Sequence, residues 1–137
     1  MAKSDRITPA FITSLKPNEI FVFGSNLMGQ HMGGAARQAH SKFGAQWGIG
    51  AEPTGQCYAI PTMHGGLSAI RPYVDQFLQY AAANPHKRFL LTRVGCGIAG
   101  FKDREMASLF AGVLSLSNVT IPREWLPTII FLNSGIN

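Results

Sequence analysis

Apolar residues come in two spacings along this chain. Short unbroken runs suit strands buried on both faces, and helical-period stretches lie between them. Ile20-Phe21-Val22-Phe23 is the first run and predicts a strand over residues 19–23. Gly24-Ser25-Asn26 follows, then a glycine-studded loop to Gly34, then a predicted helix to about Phe43 with Ala36, Ala39 and Phe43 on one face. The design recurs at Phe89. A predicted strand over 89–94 leads into Gly95-Cys96-Gly97-Ile98-Ala99-Gly100-Phe101. Asp103 then caps a predicted helix whose apolar face is Met106, Leu109, Phe110, Val113 and Leu114.

The remaining elements follow the same logic. Thr8-Pro9 reads as an N-cap with proline at the first helical position, so residues 8–15 are predicted helical. Residues 44–56 read as a long irregular loop that carries Trp47 and Glu52. A short strand over 57–62 is ended by its proline. Gly65-Gly66 opens a helix with Leu67, Ile70, Val74, Phe77, Leu78 and Ala81 on one face, and Asn84-Pro85 stops it. Residues 127–132 read as the last strand. Strands alternating with helices predict a single α/β domain, a three-layer α/β/α sandwich with a mostly parallel sheet. Ligands of such sheets bind beyond the carboxyl ends of the strands, where both glycine loops belong.

Composition narrows the function classes. The chain has 137 residues, 46% apolar and 14% charged, enough to bury a core in one domain. No run reaches the ~18 apolar residues of a membrane span, and residues 1–6 lack the apolar centre of a signal peptide. A cytoplasmic protein with no membrane partner is expected. Cys57 and Cys96 make neither a disulfide framework nor a metal-ligand pattern, so no metal or cofactor is expected. The net charge of +5 favours an anionic partner. Basic residues are scattered and not interleaved with aromatics, so a nucleotide-sized ligand accounts for the charge about as well as a nucleic acid, which is the weaker expectation.

At the two loops the sequence resembles the macrodomain family, which binds ADP-ribose and related nucleotides. Val22-Phe23-Gly24-Ser25-Asn26 is similar to the family's strand ending in Asn-Ala-Ala-Asn. Gly33-Gly34-Ala35-Ala36, with Ala39-His40, is similar to its Gly-Gly-Gly-Val loop and helix. Gly97-Ile98-Ala99-Gly100-Phe101 is similar to its second phosphate loop, Gly-Ile-Tyr-Gly-Phe. The resemblance covers about residues 19–132 and extends, more weakly, to small phage-associated members. It departs at three points. Only Asn26 of the Asn-Ala-Ala-Asn element carries over; Ala36 stands where hydrolytic members often have Asp; Ala99 replaces the tyrosine that covers the distal ribose. The family's Asp-Ile-Thr element for adenine finds no match, since Asp5-Arg6-Ile7-Thr8 lies far upstream and runs into the predicted helix.

The resemblance implies a ligand site built from Gly24, Ser25, Asn26, Gly33, Gly34 and Ala35 on one side. Gly95, Cys96, Gly97, Ile98, Ala99, Gly100 and Phe101 form the other. The glycines let backbone N–H groups approach a diphosphate, although tight turns and close packing need glycine too. Ala35, Ile98 and Ala99 donate only through their backbone. Asn26 suits a ribose, its amide both donating and accepting; it also suits its own turn. Phe101 packs on a ribose or plugs the core. Asn26, His31 and Gln30 are the catalytic candidates if the protein hydrolyses an ADP-ribosyl bond, for instance on ADP-ribosylated protein. The third implied role is non-enzymatic sequestering or sensing of an NAD-derived signal. Cys96 lacks an identifiable base and reads as inert. Arg93 meets either a phosphate or a carboxylate. Asp103 is most simply a helix cap. Glu52 is a further carboxylate that can swing over a ligand, and Trp47 either stacks on adenine or anchors its loop.

Overall fold

The computed structural model describes residues 6–25, 35, 38–39, 42–44, 50–97 and 99–135. Its central strand is β1 (Glu19–Ser25), which contains the Ile20–Phe23 run. β1 pairs in parallel with β3 (Cys57–Pro61) on one side and with β4 (Arg88–Leu91) on the other. β5 (Val119–Thr120) lies parallel beyond β4, and β2 (Glu52–Thr54) runs antiparallel to β3 at the opposite edge. The order is β2-β3-β1-β4-β5. Helices α1 (Leu67–Ala83), α2 (Asp103–Leu109) and α3 (Leu126–Leu132) and the 3₁₀ turns Ala111–Ser115 and Arg123–Trp125 complete the regular elements named here. The α/β class and the mostly parallel sheet agree with the alternation read from the sequence.

Successive strand residues point to opposite faces, so a central strand must be apolar throughout. Ile20 and Val22 join Tyr58, Ile60, Phe89 and Leu91 in the larger core, under α1, α2 and Trp125. Phe21 and Phe23 turn the other way, against Cys57, Ala59, Ala39 and Phe43. Ala35, Gln38, Ala39 and Lys42 are helical, as the alanine-rich stretch predicts. On α1 the buried stripe is Ile70, Val74, Phe77 and Ala81, the face expected from its spacing. Phe77 sits edge-on to Tyr58 at 5.1 Å and to Phe89 at 5.6 Å between ring centroids, which ties α1 to two strands.

Four expectations are corrected. Residues 8–15 are not helical. Ile7 instead forms a parallel bridge with Ile121, and the Thr8 hydroxyl, rather than capping a helix, lies buried against the Leu91 carbonyl and the Thr120 hydroxyl, each at 2.7 Å. The run over 127–132 is helix α3 and not the last strand, a place taken by β5. Pro127 falls in its first turn, where a missing N–H costs nothing, and Ile129 is its fully buried residue. Residues 44–56 are not wholly irregular, because β2 and β3 form a hairpin around Gly55-Gln56. Asp103 is not the cap of α2. The N-cap is Lys102, whose N–H donates to the Glu105 carboxylate at 2.9 Å. The helix is also shorter than predicted and continues from Phe110 as a 3₁₀ turn. Arg6 donates to the carbonyls of Val113, Leu114 and Leu116 at the end of that turn. Among the described residues no helix is long and apolar enough to cross a membrane.

Candidate functional site

The chain leaves β1 for β3 on one side and leaves β4 for β5 on the other, so the winding reverses between β1 and β4. Connections diverge at such a point and leave a crevice beyond the carboxyl ends of the strands. Both glycine loops begin there. Their first residues almost touch: a Cβ on Gly24 would lie 3.3 Å from the Gly95 nitrogen and 3.2 Å from the Thr62 hydroxyl. The approach is held by a pair of hydrogen bonds to one carbonyl, since the Thr92 N–H and hydroxyl both donate to the Val22 oxygen. That pair also ends β4 at Leu91 and turns the chain into the second loop.

The second loop is a pair of tight turns. Cys96 N–H donates to Arg93, Gly100 N–H to Gly97, and Phe101 N–H to Gly95, all within 3.1 Å. Gly95 has φ +81°, and a Cβ there would press on the Met106 sulfur at 2.9 Å, so its glycine is a packing requirement. Gly97 is different. Its φ lies outside the left-handed region, and a Cβ would meet no described atom within 4 Å. The N–H groups of Gly97 and Ala99 donate to no acceptor among the described residues. Backbone donors left without a protein acceptor are the groups from which anion-binding concavities are built.

Beside the loops opens a cleft of about 910 Å³. Phe21, Leu91, Thr92 and Arg93 line it from the sheet, residues 7–10 and Ile12 from the N-terminal segment, Ala35 and Gln38 from the helical stretch, and residues 122–124 from beyond β5. Most of these side chains are apolar, which suits a flat, largely apolar ligand group. The Gln38 amide donates to the Ile12 carbonyl and so ties the N-terminal segment to the helical stretch across the cleft.

Comparison with family models, curated proteins and solved structures finds no match to this chain. Its function is therefore argued from its own residues.

Of the residues expected at the site, Gly24 and Gly95 meet at the switch point, Ser25 ends β1 beside them, the Gly97 and Ala99 N–H groups have no acceptor among the described residues, and Ala35 lines the cleft. Cys96 and Phe101 instead pack against the larger core, as partly buried residues, and Gly100 takes a left-handed turn with φ +80°. Asn26, Gln30, His31, Gly33, Gly34, Ile98, Ala36 and Trp47 lie outside the described residues. Glu52 lies on β2 opposite Ala59. The sequence reading missed Ile7, Thr8, Pro9, Ala10, Ile12 and residues 122–124. Asp5-Arg6-Ile7-Thr8 was the available signal, set aside for a helix that does not form.

Behind the second loop sits a charged hub. The Asp103 carboxylate accepts from Arg93 Nε at 2.8 Å and Nη2 at 2.7 Å, and from the indole N–H of the fully buried Trp125 at 2.8 Å. The Arg93 guanidinium holds the Asp103 carboxyl below its ordinary value of 3.8, with help from the Trp125 indole. Burial, followed by the Asp103 charge, pushes the Cys96 thiol up to about 11, so it is protonated at neutral pH and is not a nucleophile. Among the described residues no group of three or more His, Cys, Asp or Glu is placed to hold a metal ion.

Because the Asp103 pKa is lower folded than unfolded, the hub's contribution is complete above about pH 4 and is lost as pH falls through the folded value. Asp103→Ala leaves the buried indole N–H without its acceptor and is expected to cost about 1–3 kcal/mol at pH 7. Urea unfolding from pH 6 to pH 3 checks both points: the wild type should lose more stability over that range than the variant does.

Proposed function

We propose that the protein is a small macrodomain-like α/β/α module that binds ADP-ribose or a related NAD-derived nucleotide. The observation that carries this reading is the switch point between β1 and β4, from which both glycine loops leave and beside which the cleft opens. Donor geometry supports it, because the Gly97 and Ala99 N–H groups have no protein acceptor among the described residues and suit a diphosphate. The cleft supports it as well. Ile7 and Thr8 line it, and its largely apolar wall suits a nucleobase. The positive net charge is in the same sense.

Binding, rather than turnover, is the reading adopted. Among the described residues, the Asp103 carboxylate is engaged by Arg93 and Trp125 and burial raises the Cys96 thiol, so neither offers an activated group. A thermal melt with millimolar ADP-ribose, with AMP and ATP as controls, tests the reading. Ligand at about 100 times its dissociation constant should add about 2.7 kcal/mol of stability. For a domain of this size that raises Tm by several degrees. No shift with any of the three nucleotides overturns the reading.

A further inference from the structure

We infer that Arg123 makes the cleft selective for a nucleotide bearing a second anionic group, a phosphate monoester on the nucleoside ribose, apart from the diphosphate. The inference rests on the nucleotide reading above. Six polar or charged residues line the cleft: Thr8, Gln38, Thr92, Arg93, Arg123 and Glu124. Four of them already use side-chain groups inside the protein. Thr8 is bonded to Leu91 and Thr120, Thr92 to Val22, Gln38 to Ile12, and Arg93 to both oxygens of Asp103. The Glu124 carboxylate approaches Arg93 at 3.9 Å.

Arg123 stands apart. It is exposed, it lines the cleft, and its guanidinium forms no ion pair or hydrogen bond with any described residue. A planar guanidinium with five donors matches a phosphate in fork geometry, and an arginine is what accommodates a ribose 2′-phosphate in dinucleotide sites. Position separates this anion from the diphosphate. Arg123 lines the cleft, whereas no described residue of the second glycine loop lines it. An anion at Arg123 is therefore carried by the part of the ligand seated in the cleft.

Calorimetric titration of the wild type, Arg123→Ala and Arg123→Lys with ADP-ribose and with ADP-ribose 2′-phosphate tests the inference. The wild type should bind the phosphorylated compound about tenfold more tightly, the low end for a charge-assisted bond because the site is exposed. Arg123→Ala should bind the two compounds equally, and Arg123→Lys should keep part of the preference. Equal wild-type affinities, or a preference that survives in Arg123→Ala, would overturn the inference while leaving the nucleotide reading intact. If neither compound binds the wild type, both fall.

Discussion

Gly97→Ala is expected to leave Tm unchanged and to weaken ADP-ribose binding by about 10- to 100-fold, the range for one lost bond to a charged group. The two halves of that expectation have separate causes. The fold does not need glycine here, since the backbone is outside the left-handed region and the added Cβ meets no described atom within 4 Å. Such substitutions usually change stability by less than about 0.5 kcal/mol. A phosphate bound to the Gly97 and Ala99 N–H groups, as the proposed function requires, comes against this same residue. A methyl group there holds the anion off by roughly a carbon's contact distance, about 3.5–4 Å. Melting curves and calorimetric titration of the same preparation check both halves. Unchanged affinity would mean that the second loop does not approach the ligand.

Trp125→Ala should cost about 3–5 kcal/mol, as expected for truncating a fully buried large aromatic. For a domain of this size that lowers Tm by about 10 °C or more. The indole fills the space beside Phe110, with ring centroids 5.2 Å apart, and donates to Asp103. Trp125→Phe keeps one six-membered ring in the core and loses the five-membered ring together with its N–H. That variant should cost less than Trp125→Ala, about 2–3 kcal/mol, from one buried hydrogen bond and a small cavity together. Thermal unfolding of both variants provides the comparison. A Phe variant as unstable as the Ala variant would mean that the six-membered ring's packing contributes little and the five-membered ring with its bond to Asp103 carries the effect.

What could be read from the sequence was local. β1, β3 and α1 announce themselves because Ile20–Phe23, Cys57–Ile60 and the Ile70–Ala81 stripe each follow one periodicity without interruption. The second loop is legible because its glycines sit directly after an apolar run. Errors arose where a local signal has two meanings. Thr8-Pro9 has the form of a helix start, yet Thr8 finds better partners in Leu91 and Thr120 once Ile7 pairs with Ile121. Ile129-Ile130-Phe131-Leu132 has strand composition, yet Pro127 starts a helix on the surface, where Phe131 is 60% exposed. The cleft was illegible for a different reason. Residues 7–10, 12, 35, 38 and 122–124 come together only through the sheet order, and no short window of sequence contains that order. The charged hub behaves likewise: Arg93 and Asp103 are ten residues apart, but the Trp125 donor arrives from a separate turn.

A titration of isotope-labelled protein with ADP-ribose, followed by backbone amide NMR, addresses ligand and site together. The account predicts saturable shifts at Gly97, Ala99, Thr8, Ile12 and Arg123, with α3 residues Ile130 and Phe131 unmoved. Absence of any shift at millimolar ligand, or shifts confined to α3 and the edge hairpin of β2 and β3, would contradict it.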